Sequence, residues 1–384
     1  MWAMMPLCSL ARTLFSMPEL TRELRIIGLL GVTTLLLASI CLATIENYSL
    51  VIQWLLISAL LWGLVWQQSA KRLKDNRESV NDALYPSLGW ANRLTILRGF
   101  LIALCAGFLW QSFYHTLLLW LPAFFYSVAA ILDRVDGFVA RKTQQTSLMG
   151  NALDNVFDAL GLLIAPLLAL NFAKIHWAYL LVSGAYYAFH LGLRWRSRNG
   201  LPNHPLTPNL LRRTLAGFQM GYIAVVLWPP FDAQITRLAG FAFMLPILIG
   251  FIVDWFVVSG RIDLQRGRSQ KFFDALAMGS INWVQPCLRL LFLIALAAMT
   301  AQGQWQGLTL LGQLFAAGLI TFGFGARLGA LLALILIALL PPEHISAVST
   351  IFLFSATWIM LLGSGRFSLW QGDDHWVERQ DGAS

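Results

Sequence analysis

Apolar runs of about 16–20 residues recur along the whole chain, and they limit its fold more than any other feature. A bilayer core needs roughly 20 consecutive apolar residues per helical crossing. The chain has 384 residues, and 58% of them are hydrophobic. A soluble domain holds about 45–50%. An all-α polytopic membrane protein follows. The net charge of +8 raises nucleic acid as a partner, but in such a protein basic residues crowd the cytoplasmic loops, and no nucleic-acid role is expected. Cys8, Cys41, Cys105 and Cys287 form no CxxC pair, so neither a disulfide framework nor a zinc site is expected.

The runs predict about twelve transmembrane helices. Two lie at 26–45 and 49–66, and the first reads as a retained span because it is too long for a signal-peptide core. The polar segment 67–93 then reads as a boundary. A central bundle of six spans is expected at 95–113, 115–140, 150–171, 176–193, 213–229 and 237–258. Four more are expected at 283–300, 306–324, 327–341 and 346–363, before a polar tail. The domain reading is 1–84, 85–260 and 261–384. With a cytoplasmic N-terminus, all of the 27 Lys and Arg residues except Lys174 and Arg237 fall on the cytoplasmic side, as the positive-inside rule requires. The expected location is the cytoplasmic (inner) membrane.

One stretch carries chemistry. Asp133, Asp136, Asp154 and Asp158 fall within 26 residues of a chain that is only 12% charged, and acids at a membrane span are functional by default. Asp133, Asp136, Gly137 and Ala140 share one helix face, and so do Gly150, Asp154 and Asp158. The short connection 141–149 predicts that the second helix turns back on the first and brings four carboxylates together. Left unpaired they would repel one another, and oxygen ligands of this kind suit two Mg²⁺ or Mn²⁺ ions. Gly137 and Ala140 would let a nucleotide approach the backbone, and Arg141 would meet phosphate oxygens.

The pattern Asp-x2-Asp-Gly-x2-Ala-Arg-x8-Gly-x3-Asp-x3-Asp, read from Asp133 to Asp158, resembles the signature of the CDP-alcohol phosphotransferases. Asn92-x2-Thr95-x2-Arg98 is similar to that family's first-helix pattern. The resemblance covers about 85–260. It implies a phospholipid-forming transferase that moves a phosphatidyl group from CDP-diacylglycerol or another CDP-alcohol to an alcohol acceptor, releasing CMP. It assigns the four aspartates to two metals, Gly137, Ala140, Arg141 and Gly150 to the CDP pocket, and Asp158 to the general base. Membrane lipids are expected partners, and a homodimer is expected from the family fold.

The connection 194–213 holds Arg194, Arg196, Arg198, Arg212 and Arg213. It suits either an acceptor phosphate or ordinary cytoplasmic charge. Arg213, Thr214 and Gln219 only approximate a family pattern tied to phosphorylated acceptors. Asp254 is read as isolated, and Arg289 and Glu343 as anchors near span ends. In the C-terminal third, Phe324-Gly-Ala-Arg327-Leu-Gly-Ala and Gly363-Ser-Gly-Arg-Phe-Ser368 look like DoxX-type four-helix membrane proteins. Two other readings compete: a cation-binding transporter, and a silent membrane scaffold.

Overall fold

The computed structural model describes residues 5–111, 116–206, 210–262, 271, 275–339, 346–370, 372 and 377, with side chains from Met17 onward. Among them the chain is helical, with no strand beyond one isolated bridge between Phe324 and Trp370. The helices are α1 (Met5–Ala43), α2 (Tyr48–Lys71), α3 (Gly89–Ala106), α4 (Trp120–Lys142), α5 (Leu148–Asn171), α6 (Leu180–Arg198), α7 (Leu210–Val226) and α8 (Ala233–Val258). Then come α9 (Gln285–Ala301), α10 (Gly307–Phe322), α11 (Ala326–Ala338) and α12 (Ala347–Leu362).

Six described helical stretches are long and apolar enough to cross a membrane: Met17–Ala43, Tyr48–Asp75, Thr116–Lys142, Leu148–Asn171, Ala233–Val258 and Ala275–Ala301. The expectation of twelve is met only in part by this measure. The helices Gly307–Phe322, Ala326–Ala338 and Ala347–Leu362 are apolar but short. At about 1.5 Å per residue, helices of this length fall short of a core about 30 Å thick.

The chain forms two compact units. The first comprises Met1–Phe172 with Ile223–Trp228, and the second Ala173–Tyr222 with Pro229–Ser384. In the first unit, α1 and α2 form a hairpin closed by tryptophans. Trp62 Nε1 donates to the Gly28 carbonyl at 3.3 Å, and Trp66 Nε1 to that of Leu24 at 3.2 Å. A side chain at Gly28 would lie 2.7 Å from Trp66 Nε1, so the close approach needs glycine there. Helix α3 packs against α2, α4 and α5, and it is buried along nearly its whole length.

Helix α3 begins earlier than the expected span at 95, and its first turns take in Asn92. Folded partners satisfy polar residues of the segment before it. The Asn76 and Asn92 side chains bond each other at 2.9 Å, and Leu148 N–H reaches the Arg77 carbonyl at 2.9 Å.

In the second unit, α8 packs against α6, α11 and α12. Asp232 caps α8 by accepting from the amides of Gln234 at 2.8 Å and Ile235 at 3.0 Å. Lys174 donates to the carbonyls of Pro229 and Phe231, and Arg237 to that of Ala173 at 2.7 Å. Lys174 and Arg237, the two basic residues expected away from the cytoplasmic side, therefore both bond main-chain carbonyls next to α8 or at the start of the unit. Burial lowers the pKa of Lys174, and Asp232 opposes that shift.

Arg289, expected as a span-end anchor, is buried and donates to Ser368 Oγ at 2.6 Å. It clasps the 363–370 loop rather than reaching for an interface. Arg327 is buried at the start of α11 and donates to the carbonyls of Met360 at 2.8 Å and Leu361 at 3.1 Å. Glu343 lies outside the described residues. Cys41, Cys105 and Cys287 are free thiols.

Candidate active site

The site is organised by α3, which carries Asn92, Thr95 and Arg98. On α4, the buried stripe Tyr126 and Ala129 continues in helical phase to Asp133 and Asp136. On α5, Leu153 and Phe157 are fully buried. Their burial fixes the roll of α5 so that Asp154 and Asp158, each one position later, face the same groove. The expectation was that α5 would fold directly back on α4. Instead both helices pack on α3, and the four carboxylates converge across it.

At the convergence point stands Arg98, whose side chain is 1% exposed. Its guanidinium pairs with Asp133 through Nη1, and the same nitrogen lies 3.9 Å from Asp136 Oδ2. Nη2 reaches Asp154 Oδ1 at 2.9 Å, Asp158 Oδ1 at 3.2 Å and the Asp154 carbonyl at 3.1 Å. A planar fork with several donors is the group that can engage carboxylates from two helices at once. The aspartates thus share a basic partner on a third helix.

Thr95 and Asn92 extend the same face of α3. Thr95 Oγ1 donates to Asp136 Oδ2 at 2.8 Å, so the most buried of the four carboxylates is also held by a hydroxyl. Asn92 Nδ2 donates to the Leu88 carbonyl at 2.9 Å and to Ser147 Oγ at 3.1 Å. Ser147 in turn caps α5 by accepting the Gly150 amide at 2.9 Å. A Cβ at Gly150 would sit 2.7 Å from Asn92 Oδ1. Gly150 is therefore required by this polar lock, whatever else it does. Gly137 is flanked by Arg141, whose Nη1 would lie 3.4 Å from a Cβ at Gly137. Ala140 is half-buried, and Arg141 is exposed at the end of α4.

The carboxylates fit a hard divalent cation. Asp133, Asp154 and Asp158 can each offer an oxygen such that all three lie within 4.8 Å of one another. Asp154 and Asp158 are 46% and 41% exposed, against 21% for Asp133 and 8% for Asp136. The cluster is deep on the α4 side and open on the α5 side, where a ligand could enter. One guanidinium cannot balance four carboxylates, so the charge surplus favours further cations.

This geometry agrees with a comparison to known families. Residues 88–257 match the CDP-alcohol phosphatidyltransferase family model. That family transfers phosphatidyl groups in membrane lipid synthesis and uses divalent metal. The matched segment contains the whole α3–α5 site and ends within α8. No curated protein and no solved structure matches the chain. The C-terminal third lies outside the match.

The basic connection of the second unit is partly committed elsewhere. Arg212 pairs with Asp254 at 2.7 Å, so Asp254 is not isolated. Arg196 donates to Asn203 Oδ1 at 3.2 Å and to the Pro202 carbonyl at 2.7 Å, shaping its own loop. Arg194, Arg198 and Arg213 are exposed. Thr214 and Gln219 are buried.

Signals for the missed parts were present. Asn92, Thr95 and Arg98 recur every three residues, which places them on one face. What spacing does not say is that an arginine at the end of that face would meet acids from two later helices.

Proposed function

We propose that this chain is an integral membrane CDP-alcohol phosphotransferase, which transfers a phosphatidyl or similar substituted phosphate group from a CDP-linked donor to an alcohol. The observation that carries this reading is the meeting of Asp133, Asp136, Asp154 and Asp158 around Arg98, inside the segment that matches the family. CDP-diacylglycerol is the donor we favour, because its acyl chains can stay in the bilayer while its diphosphate reaches the end of α4.

The four aspartates would hold two divalent ions, Mg²⁺ or Mn²⁺, which when bound neutralise the diphosphate and the departing CMP. Asp158 is the general base. It stands on the open side of the cluster, and it takes the proton of the acceptor hydroxyl as that oxygen attacks the β-phosphorus. The bond from that phosphorus to the oxygen it shares with CMP breaks, and CMP leaves. Gly137 and Ala140 keep the approach to the backbone open for the cytidine half, and Gly150 lets Asn92 close on the start of α5 beside it. Arg141 meets phosphate oxygens. Arg98 holds the carboxylates in register before substrate arrives, and Thr95 keeps Asp136 oriented. The site faces the cytoplasm, where nucleotide and divalent ions are supplied, and the exposed arginines at 194–213 attract anionic headgroups or an acceptor phosphate.

The test is CMP release by purified protein given CDP-diacylglycerol and Mg²⁺ or Mn²⁺. Acceptors are offered singly: glycerol 3-phosphate, serine, inositol, inositol phosphate and phosphatidylglycerol. Metal-dependent CMP with one acceptor, lost in Asp158→Asn, is the expected result. Failure to bind any CDP compound would overturn the reading.

A further inference from the structure

The matched segment begins at 88, yet α3 is held in place by residues that precede it. Leu88 offers no side-chain cap to α3. Glu23, on α1, takes that role: its Oε2 accepts the Leu88 amide at 3.0 Å, and its Oε1 accepts from Arg93 Nε at 2.6 Å. A carboxylate here also suits the positive end of the helix dipole. The Arg93 guanidinium is further held over the Trp90 ring, 5.0 Å from its centroid.

The second hold is Asn76, which is fully buried. Its Nδ2 donates to the Ser87 carbonyl at 2.9 Å, and its Oδ1 accepts from Asn92 Nδ2 at 2.9 Å. Through Asn92 and Ser147 this reaches the capped start of α5. The neighbouring chain is tied to the same place, with Tyr85 Oη donating to the Thr146 carbonyl at 3.2 Å. Sideways, α3 is gripped between α2 and α5. A Cβ at Gly99 would meet Val65 Cγ1 at 2.8 Å and Phe157 Cε2 at 3.1 Å.

We infer that the N-terminal hairpin and the segment after it, through Glu23 and Asn76, set the axial position of α3 and thereby the placement of Arg98 among the four aspartates. Glu23 and Asn76 are positioning residues, with no contact to the reacting groups. A slip of one residue moves a helix by about 1.5 Å along its axis. That is enough to break the bonds of Arg98 to Asp154 and Asp158, which span 2.9 and 3.2 Å. The catalytic consequence rests on the transferase reading, but the structural one does not.

The experiment compares full-length wild type with Glu23→Ala, Glu23→Gln and Asn76→Ala, by hydrogen exchange and by CMP release with the acceptor found above. Glu23→Ala and Asn76→Ala are expected to speed exchange of residues 88–95 about tenfold while leaving α9–α12 unchanged. The kcat should fall about tenfold to a hundredfold, with KM for the CDP donor moving less than about threefold. Glu23→Gln keeps an acceptor for only one of the two donors, Leu88 N–H or Arg93 Nε, and should fall between wild type and Glu23→Ala. Unchanged exchange at 88–95 in both alanine variants would overturn the inference, as would exchange rising equally in α9–α12. A silent wild type whose variants still loosen only 88–95 would sink the transferase reading and leave the positioning intact.

Discussion

Arg98 in the first unit and Arg327 in the second are both buried cations set among apolar helices, yet their surroundings differ in kind. Arg98 faces four carboxylates supplied by two helices. Arg327 donates to main-chain carbonyls at the end of α12 and lies 5.8 Å from the centroid of the Phe218 ring. Carbonyls at a helix end are orphan acceptors that every helix has, so an arginine that donates to them ties one helix to the end of another. Four acids around one arginine leave a surplus of negative charge, which is costly in a membrane and usable by a cation-bearing substrate. A buried arginine that gathers several acids from two helices is thus a sign of function, and one that ties main-chain carbonyls at a helix end is a sign of architecture.

The sharpest way to break this comparison is metal removal. Chelation should abolish CMP release, with Mg²⁺ or Mn²⁺ restoring it, and activity that persists in chelator would remove the surplus-charge argument. Asp158→Asn comes next, with CMP release expected to fall about 10²- to 10⁴-fold while the protein stays folded. Normal turnover in that variant would move the base elsewhere.

Arg98→Ala should lower turnover at least about a hundredfold. It should also cost about 3–5 kcal/mol of stability, because it leaves acids facing one another in a buried pocket; thermal unfolding in detergent measures this. Added Mg²⁺ should recover part of the stability, and no recovery would argue that the acids do not take up cations.

Gly150→Ala pushes a methyl group against Asn92. It should cost about 1–3 kcal/mol as overpacking, with a smaller kinetic loss of about tenfold. Arg327→Ala should be the mildest for catalysis. Its stability cost is about 1–3 kcal/mol, and CMP release per folded molecule should stay within about twofold, since the reaction does not use it. A large kinetic loss there would erase the distinction between the two arginines.

The helical, membrane-embedded class was legible from apolar runs alone, because a bilayer allows few other solutions to a chain with so many. The site aspartates were legible too. Acids in helical phase on apolar segments are rare, and their spacing puts them on one face whatever the rest of the fold does. The span count was less secure, since α10–α12 are apolar but short, and hydropathy does not show where a helix stops. The contacts of the segment 67–93 were not legible for a related reason: its polar residues look solvent-bound until Asn76 and Asn92 are seen to satisfy each other. Only the tertiary structure decided that α3 is the centre of the site, that Arg98 stands among the acids, and that Glu23 caps the helix carrying it. Those facts join residues 35 to 70 positions apart, and no local periodicity encodes a hydrogen bond between helices.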